Sequence, residues 1–340
     1  LAFHNFSIIH VQVTEPQELS DLIDEGLNRI DLPGKPGVLY DPVRYTLGLP
    51  GKRVRPLLTL IGCGLSGGKV KEALSAAIAI ELLHNFTLLH DDIMDAAGTR
   101  RGQPSVFKKW SANTAILSGD AMYAKAFKQL QYYGYNEAYS KEHYALILDI
   151  FLDSAQRVCE GQAYDLDFEK REQVSIQEYL QMIDGKTAAL ISSSLAIGGA
   201  VAAAAKPTID RLRKVGQKTG IAFQIQDDLL DVVADPDKFG KQRGGDIKEG
   251  KKTYLSLLAL QRCDADQKDR LSEILADQEP SDDDVATVIE WYNELGVIDT
   301  TRNVIRQYYE EAMEQIETFD QSCYKNEIIT LLNRLISREY

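Results

Sequence analysis

Residues 81–101 read ELLHNFTLLHDDIMDAAGTRR, and both fold and chemistry turn on this stretch. It opens as an apolar run with helical spacing and ends in three carboxylates, Asp91, Asp92 and Asp95, followed by Arg100 and Arg101. On a helix, residues 91 and 95 lie one turn apart on one face, where like charges repel. A divalent cation held between them reverses the sign of that interaction. Hard oxygen ligands with no nearby Cys or His at ligand spacing suit Mg²⁺, which takes one or two carboxylates and completes its shell with substrate phosphates.

The pattern returns at Gln226–Asp231, QDDLLD, with Asp227, Asp228 and Asp231 after the apolar run IAFQI. One aspartate cluster at a helix end reads equally well as a solvated or capping cluster. Two clusters, each ending an apolar helix, are harder to explain that way, because carboxylates buried without partners are costly. The two are expected to form facing acidic walls with Mg²⁺ and a polyphosphate between them.

Ala, Leu, Glu and Lys dominate the 340 residues, and alternating strand patterns are scarce, so the expected fold class is all-α. No Pro- or Gly-rich linker divides the chain, and a single domain over 1–340 is expected. The net charge of −13 argues against nucleic acid and anionic membrane surfaces as partners. Anionic substrates remain compatible with it if the site gathers Lys, Arg and Mg²⁺. The four cysteines show no CxxC pair and read as reduced thiols, in keeping with a cytoplasmic chain. The uncharged stretch Thr187–Ala205 has the length of a membrane span. Its Ala, Ser and Gly content instead predicts a tightly packed buried helix.

Along the chain, 1–13 has no clear period and is expected to be poorly ordered. Glu15–Ile30 predicts an amphipathic helix, and Asp31–Pro50 a loop with a short helix at most. Gly51–Pro56, GKRVRP, leads into an apolar helix. Glycine and basic residues at a helix N-terminus can cradle phosphate, although an ordinary basic loop is the simpler reading of the hexapeptide alone. Lys69–Asp95 predicts one long helix on which His84, Leu88, Asp91 and Asp95 share a stripe. His90 lies off it and reads as structural. Ala96–Trp110 predicts a loop, and Ser118–Tyr133, Ala145–Phe168 and Ile209–Val233 predict helices. Residues 234–252 cannot build a core, and their Gly, Lys and Asp content next to an acidic wall fits a mobile lid. Tyr254–Tyr340 predicts amphipathic helices.

Taken together and in this order, the two aspartate motifs and GKRVRP resemble the trans-isoprenyl (polyprenyl) diphosphate synthases over most of the chain. The resemblance implies a helix bundle around a deep central cavity, the isoprenoid synthase fold. It implies Mg²⁺-dependent, head-to-tail condensation of isopentenyl diphosphate with an allylic diphosphate. Asp91, Asp95 and Asp227 would hold metal, three ions per site with substrate bound, with Asp92 and Asp228 beside them. Lys52, Arg55, His84 and Arg101 would bind isopentenyl diphosphate. Arg100, Lys186, Thr187, Gln224, Lys241 and Lys251 would serve the allylic diphosphate, with Gln162, Asp165, Asp231 and Asp246 in support. A homodimer is the family default.

Product length is implied by Phe86, five residues before Asp91, which resembles the aromatic floor of this family, with Thr87 beside it. That combination resembles geranylgeranyl synthases first and farnesyl synthases next. On an ideal helix Phe86 sits about 140° from Asp91, so the floor role comes from the resemblance and not from periodicity. Two alternatives share the fold. A class I terpene cyclase usually lacks the second DDxxD and has no use for GKRVRP. A non-catalytic partner subunit usually loses an aspartate motif.

Overall fold

The stripe Leu19, Leu22, Ile23 and Leu27 forms the buried side of a first helix, α1 (Pro16–Asn28), with Leu19 and Ile23 only 1% exposed. A computed structural model describes residues 16–234, 243–277 and 279–336. The opening segment 1–13 lies outside the described residues. So does 235–242, the part of the expected lid that holds Lys241.

A second helix, α2 (Gly37–Gly48), occupies the span read as mostly loop. The sequence reading was misled by Pro42, which removes one backbone donor. That leaves the carbonyl of Val38 without its helical partner, but Val38 is 65% exposed, so water can satisfy it. Burial of Val43, Thr46 and Leu47 then outweighs the local penalty.

Next come α3 (Val54–Leu65), a 3₁₀ turn (Val70–Ala73) and α4 (Leu74–Met94), which is shorter than the expected Lys69–Asp95. The loop 96–110 contains a small hairpin, β1 (Thr99–Arg100) against β2 (Gln103–Pro104), and a short α5 (Val106–Lys109). Helices α6 (Ala112–Tyr135) and α7 (Lys141–Lys170) outrun their predicted spans because Ser111 and Ser140 cap them with side-chain oxygens. Helix α8 (Ile176–Ile183) starts in a Ser175/Glu178 capping box. One turn of π-helix (Asp184–Ala188) links it to α9 (Ala189–Val201). The long α10 (Lys206–Val233) carries the second aspartate motif. After it come α11 (Gly245–Lys248), α12 (Tyr254–Arg262), α13 (Ala265–Ala276), α14 (Asp282–Glu294), α15 (Val297–Glu317) and α16 (Cys323–Ile336). All four cysteines are free.

Two apolar clusters hold these helices. The larger draws on α1–α7, α9, α16 and the end of α15; the smaller draws on α8, α11–α14 and the start of α15. Helix α10 joins both, giving Ile209, Leu212 and Val215 to the first and Ile221, Ile225 and Leu229 to the second. Both aspartate motifs therefore end helices anchored in core. Every residue of α9 is buried, as the Ala, Ser and Gly content predicted, but the expected helix over Thr187–Ala205 is shorter at both ends: Thr187 and Ala188 belong to the π turn, and 202–205 leave the helix with Ala203 and Ala205 exposed. Val70–Met94 is the one described stretch long and apolar enough to cross a membrane, and 61% of its apolar window is buried inside the protein.

Helix α3 crosses α9 with backbone against backbone. A Cβ at Gly62 would lie 2.3 Å from the Leu195 carbonyl oxygen, and one at Gly198 would lie 2.1 Å from that of Thr59. Neither backbone can give way without parting the helices. Gly198→Ala is expected to cost roughly 1–3 kcal/mol or more, as overpacking does. Gly48→Ala, with nothing near its added Cβ, is expected to change stability by less than about 0.5 kcal/mol. Urea unfolding midpoints of the two variants check both values.

Candidate active site

Successive helical side chains diverge by about 100°, so adjacent aspartates cannot both face one cavity. At the end of α4 the pair is split accordingly. Asp91 is half-buried and lines the cavity, while Asp92 is 3% exposed and turned inward. Its Oδ1 accepts from Arg100 Nε at 2.8 Å and from Arg100 Nη2. Asp95 is exposed and caps the helix, its N–H donating to Asp91 O at 2.8 Å.

The end of α10 repeats the division. Asp227 is exposed, whereas Asp228 is 6% exposed. Asp228 Oδ2 accepts from Tyr179 Oη at 2.5 Å, and its Oδ1 accepts from Gln224 Nε2 at 3.1 Å. Asp231 ties down the returning chain, with Oδ2 accepting from Asp246 N at 3.0 Å. Thus the second aspartate of each motif is an anchor, and the first is left for other work.

The hairpin after α4 separates the two arginines. Arg101 (φ 52°) and Gly102 (φ 74°) both occupy the left-handed region, making the two-residue turn that such hairpins favour. Arg100 is thereby sent back to Asp92. Arg101 reaches across to Gly51, where a Cβ would sit 2.7 Å from its Nη1, so glycine there makes room for the guanidinium.

Within GKRVRP the basic residues diverge. Arg53 faces inward: Nη1 donates to Glu81 Oε1 at 2.6 Å and Nη2 donates to the carbonyls of Leu47 and Leu49. It is a brace, joining the end of α2 to the centre of α4. Lys52 is exposed. Arg55 turns to His84, with Nη1 and Nε2 3.1 Å apart. Arginine can only donate, so Nε2 is the accepting nitrogen and the imidazole proton sits on Nδ1. Burial, and then Arg55, Arg101, Arg100 and Arg53, hold His84 well below its ordinary pKa, so it is neutral. Burial also lowers Arg55 to about 10. Arg55 Nε and Arg101 Nη1 are buried without a hydrogen-bond partner among the described residues. Buried donors of this kind can take an acceptor from outside the chain, a water or an anion.

Of these groups Arg55 and His84 border a cavity of about 140 Å³, which Arg101 does not line. Its polar lining is Arg55, His84, Thr87, Asp91, Gln162, Lys186 and Thr187; Leu88, Val158 and Leu190 supply apolar wall. Lys186 is ion-paired with Asp165 on α7. Thr187 Oγ1 donates to Gln224 Oε1 at 2.8 Å, which extends a chain through Asp228 to Tyr179. Gln162 Nε2 is buried without a partner among the described residues.

Not every expected residue converges here. Lys251 is engaged with Glu249 at 2.6 Å and Asp246 at 3.4 Å. Thr87 lines the cavity but Phe86 does not. Phe86 instead stacks on Tyr123 at 5.1 Å between centroids and meets His90 edge-on at 4.6 Å. That placement fits the 140° offset. Among the described residues no group of three or more His, Cys, Asp and Glu comes close enough to hold a metal by itself.

Sequence reasoning missed Glu81, Asn85 and Tyr179. Glu81 is 1% exposed and takes Arg53 and Asn85 Nδ2, the latter at 2.9 Å. A lone glutamate inside the apolar run AAIAIELL was the available signal, since a buried carboxylate needs a partner. Tyr179 gave no such signal.

Burial raises Asp91 to about 6 and Asp228 to about 7. Their protons leave the unfolded chain near 4 but leave the native protein only near 6 and 7. Their contribution is therefore full below pH 4 and is lost as pH rises through 7. Thermal unfolding of metal-free protein is expected to fall from pH 5 to pH 8, and Asp228→Asn is expected to flatten that slope.

The family profile described as polyprenyl synthetase matches residues 36–292. A geranylgeranyl diphosphate synthase of Methanosarcina mazei is 34% identical over 96% of this chain and 98% of its own length. A geranylfarnesyl diphosphate synthase of Natronomonas pharaonis is also 34% identical, over 95% of this chain and 96% of its own. The crystal structure of a geranylgeranyl pyrophosphate synthetase from Pyrococcus horikoshii superposes with a TM-score of 0.89 at 37% identity, covering 95% of this chain and 97% of that one.

Proposed function

The chain belongs to the polyprenyl synthetase family, and on that premise we propose that it joins isopentenyl diphosphate head to tail to allylic diphosphates. The product is a short-chain all-trans prenyl diphosphate, geranylgeranyl diphosphate first. One observation carries the reading: two buried guanidinium nitrogens without partners, on Arg55 and Arg101, stand beside a neutral His84, and Arg55 and His84 share a cavity with Asp91 and Lys186. An anion belongs at the arginines and a second one at the acidic walls.

In this reading Arg55, Arg101, His84 and Lys52 hold isopentenyl diphosphate, with bidentate guanidinium bonds to phosphate. Lys186, Thr187, Gln224 and Lys251 serve the allylic diphosphate, and Lys241, outside the described residues, joins them. Lys186 would exchange its bond to Asp165 for a phosphate oxygen. Arg100 acts at one remove, by fixing Asp92.

Asp91, Asp95 and Asp227 fit Mg²⁺, because each wall offers carboxylate oxygen without closing a cage. That suits an ion that takes substrate phosphates for the rest of its shell. When bound, Mg²⁺ neutralises charge on the leaving diphosphate.

Lys186 stabilises the same charge as the allylic C–O bond breaks, which is electrostatic help directed at the transition state. The double bond of isopentenyl diphosphate, positioned through the diphosphate that Arg55 and Arg101 hold, attacks the allylic carbon. A proton then passes from the new tertiary cation to the departed diphosphate. Leu88, Val158 and Leu190 keep water from the cation.

Among relatives that span nearly the whole chain, one named for a geranylgeranyl and one named for a geranylfarnesyl product are both 34% identical to it, although geranylgeranyl relatives matching shorter spans reach 39% and 43%. Overall similarity thus leaves a twenty-five-carbon product as the second reading. Phe86, braced by Tyr123, favours the shorter product. A cytoplasmic homodimer completes the reading: Ile116 and Leu117 on α6 and Leu146 and Leu152 on α7 are exposed apolar side chains that a second copy would cover. The cyclase and partner-subunit alternatives are set aside because both aspartate motifs and the arginine site are intact.

Incubation with isopentenyl diphosphate and dimethylallyl, geranyl or farnesyl diphosphate, with Mg²⁺ or EDTA, tests the reaction. Mg²⁺-dependent elongation to twenty carbons is expected, and a cyclic hydrocarbon or no product would overturn it. Arg55→Ala is expected to raise KM for isopentenyl diphosphate about 10- to 100-fold, the worth of a hydrogen bond to a charged group. Phe86→Ala is expected to lengthen the product; an unchanged spectrum would remove Phe86 from the floor.

A further inference from the structure

Lys186 and Thr187 reach the cavity from a turn that a regular α-helix would not supply. Between α8 and α9 the chain widens into one π turn, Asp184–Ala188, in which the Ala189 N–H donates to Asp184 O. A π turn holds one extra residue, so relaxing it to α geometry would rotate the side chains on one side of it by about 100° relative to the other. Something must therefore hold the widened turn in register.

We propose that Asp184 is the positioning residue that does so, pinning the first residue of the turn between α7 and α10. Its two carboxylate oxygens are taken by two different helices. Arg157 Nη2 on α7 donates to Oδ2 at 2.7 Å, and Gln217 Nε2 on α10 donates to Oδ1 at 2.8 Å. One residue later the backbones meet without side chains between them. A Cβ at Gly185 would lie 2.8 Å from the Arg157 carbonyl oxygen, and a Cβ at Gly161 would lie 2.1 Å from Lys186 N.

That bare crossing sets how near α7 and the turn come, but glycine offers no side chain to stop sliding or rotation. The Asp184 carboxylate supplies the stop. With it in place, Lys186 meets Asp165 and Thr187 meets Gln224. Without it the turn can lose its extra residue and carry Lys186 away from the wall. The Arg157–Asp184 pair is partly exposed, at 28% and 25% of side-chain area. Such pairs add little to global stability, so the fold should survive their loss.

This inference rests on the reading that Lys186 and Thr187 serve the allylic diphosphate. Steady-state kinetics of Asp184→Ala and Asp184→Asn in the full-length enzyme test it. Asp184→Ala is expected to lower kcat and raise KM for the allylic substrate, for a combined loss in kcat/KM of about 10- to 100-fold, as misplacement by an ångström can. KM for isopentenyl diphosphate should stay within about twofold, because Arg55 and His84 lie on other elements. Asp184→Asn keeps an acceptor for Gln217 and should fall between. Allylic kcat/KM within twofold of wild type, or a loss shared equally by both substrates together with a lowered Tm, would overturn the proposal.

If wild-type enzyme itself makes no prenyl product, the functional reading fails. The turn is then tested by amide hydrogen exchange over 185–189. Faster exchange there in Asp184→Ala, with the rest of α9 unchanged, supports the pin, and unchanged exchange overturns it.

Discussion

A carboxylate turned into a protein interior must be answered by a donor, and that requirement organises this molecule. Each aspartate motif ends a helix that is anchored in core, so of two adjacent aspartates one is turned inward. Asp92 is answered by Arg100, and Asp228 by Tyr179 and Gln224. Each answer fixes something further. Holding Arg100 folds the chain into the 99–104 hairpin, which throws Arg101 toward Gly51. Holding Asp228 orders Gln224, which takes Thr187. The outward aspartates are presented because the inward ones are secured.

The second constraint is proximity. Helices α3 and α9 cross at a distance only glycine permits, and α7 meets the π turn in the same way. Close crossings leave little space for a core of large side chains, which is why α9 is built from Ala, Ser and Gly. They also put backbone near backbone at the cavity wall. The side chains that do project there, Gln162 and Lys186, then face one another's neighbourhood from adjacent helices.

Legibility in the sequence followed the range of the interactions. The helices around Leu19, Asp91 and Asp227 were readable because apolar periodicity is local. So was the buried character of 187–201, from composition, but not the exposure of Ala203 and Ala205 at the end of that stretch. Helix α2 was not, since Pro42 argued against it and only distant burial of Val43 and Leu47 overrode that. The inward turn of Arg53 was not readable either: GKRVRP offers three basic residues, and nothing in the hexapeptide says that Glu81 awaits the middle one. Tyr179 lies 49 residues from the carboxylate it serves, and no spacing rule spans that distance.

The sequence by itself determined the helical class, the two aspartate triplets at helix ends and the basic cluster at the start of α3, because period, charge and capping are encoded within a few turns. Only the tertiary structure decided which aspartate of each pair turns inward, which arginine braces Glu81 and which turns to His84, and that the chain widens at Asp184 to aim Lys186. Those outcomes depend on donors brought from remote helices into a medium where no charge can be left alone, and that pairing exists only once the chain has folded.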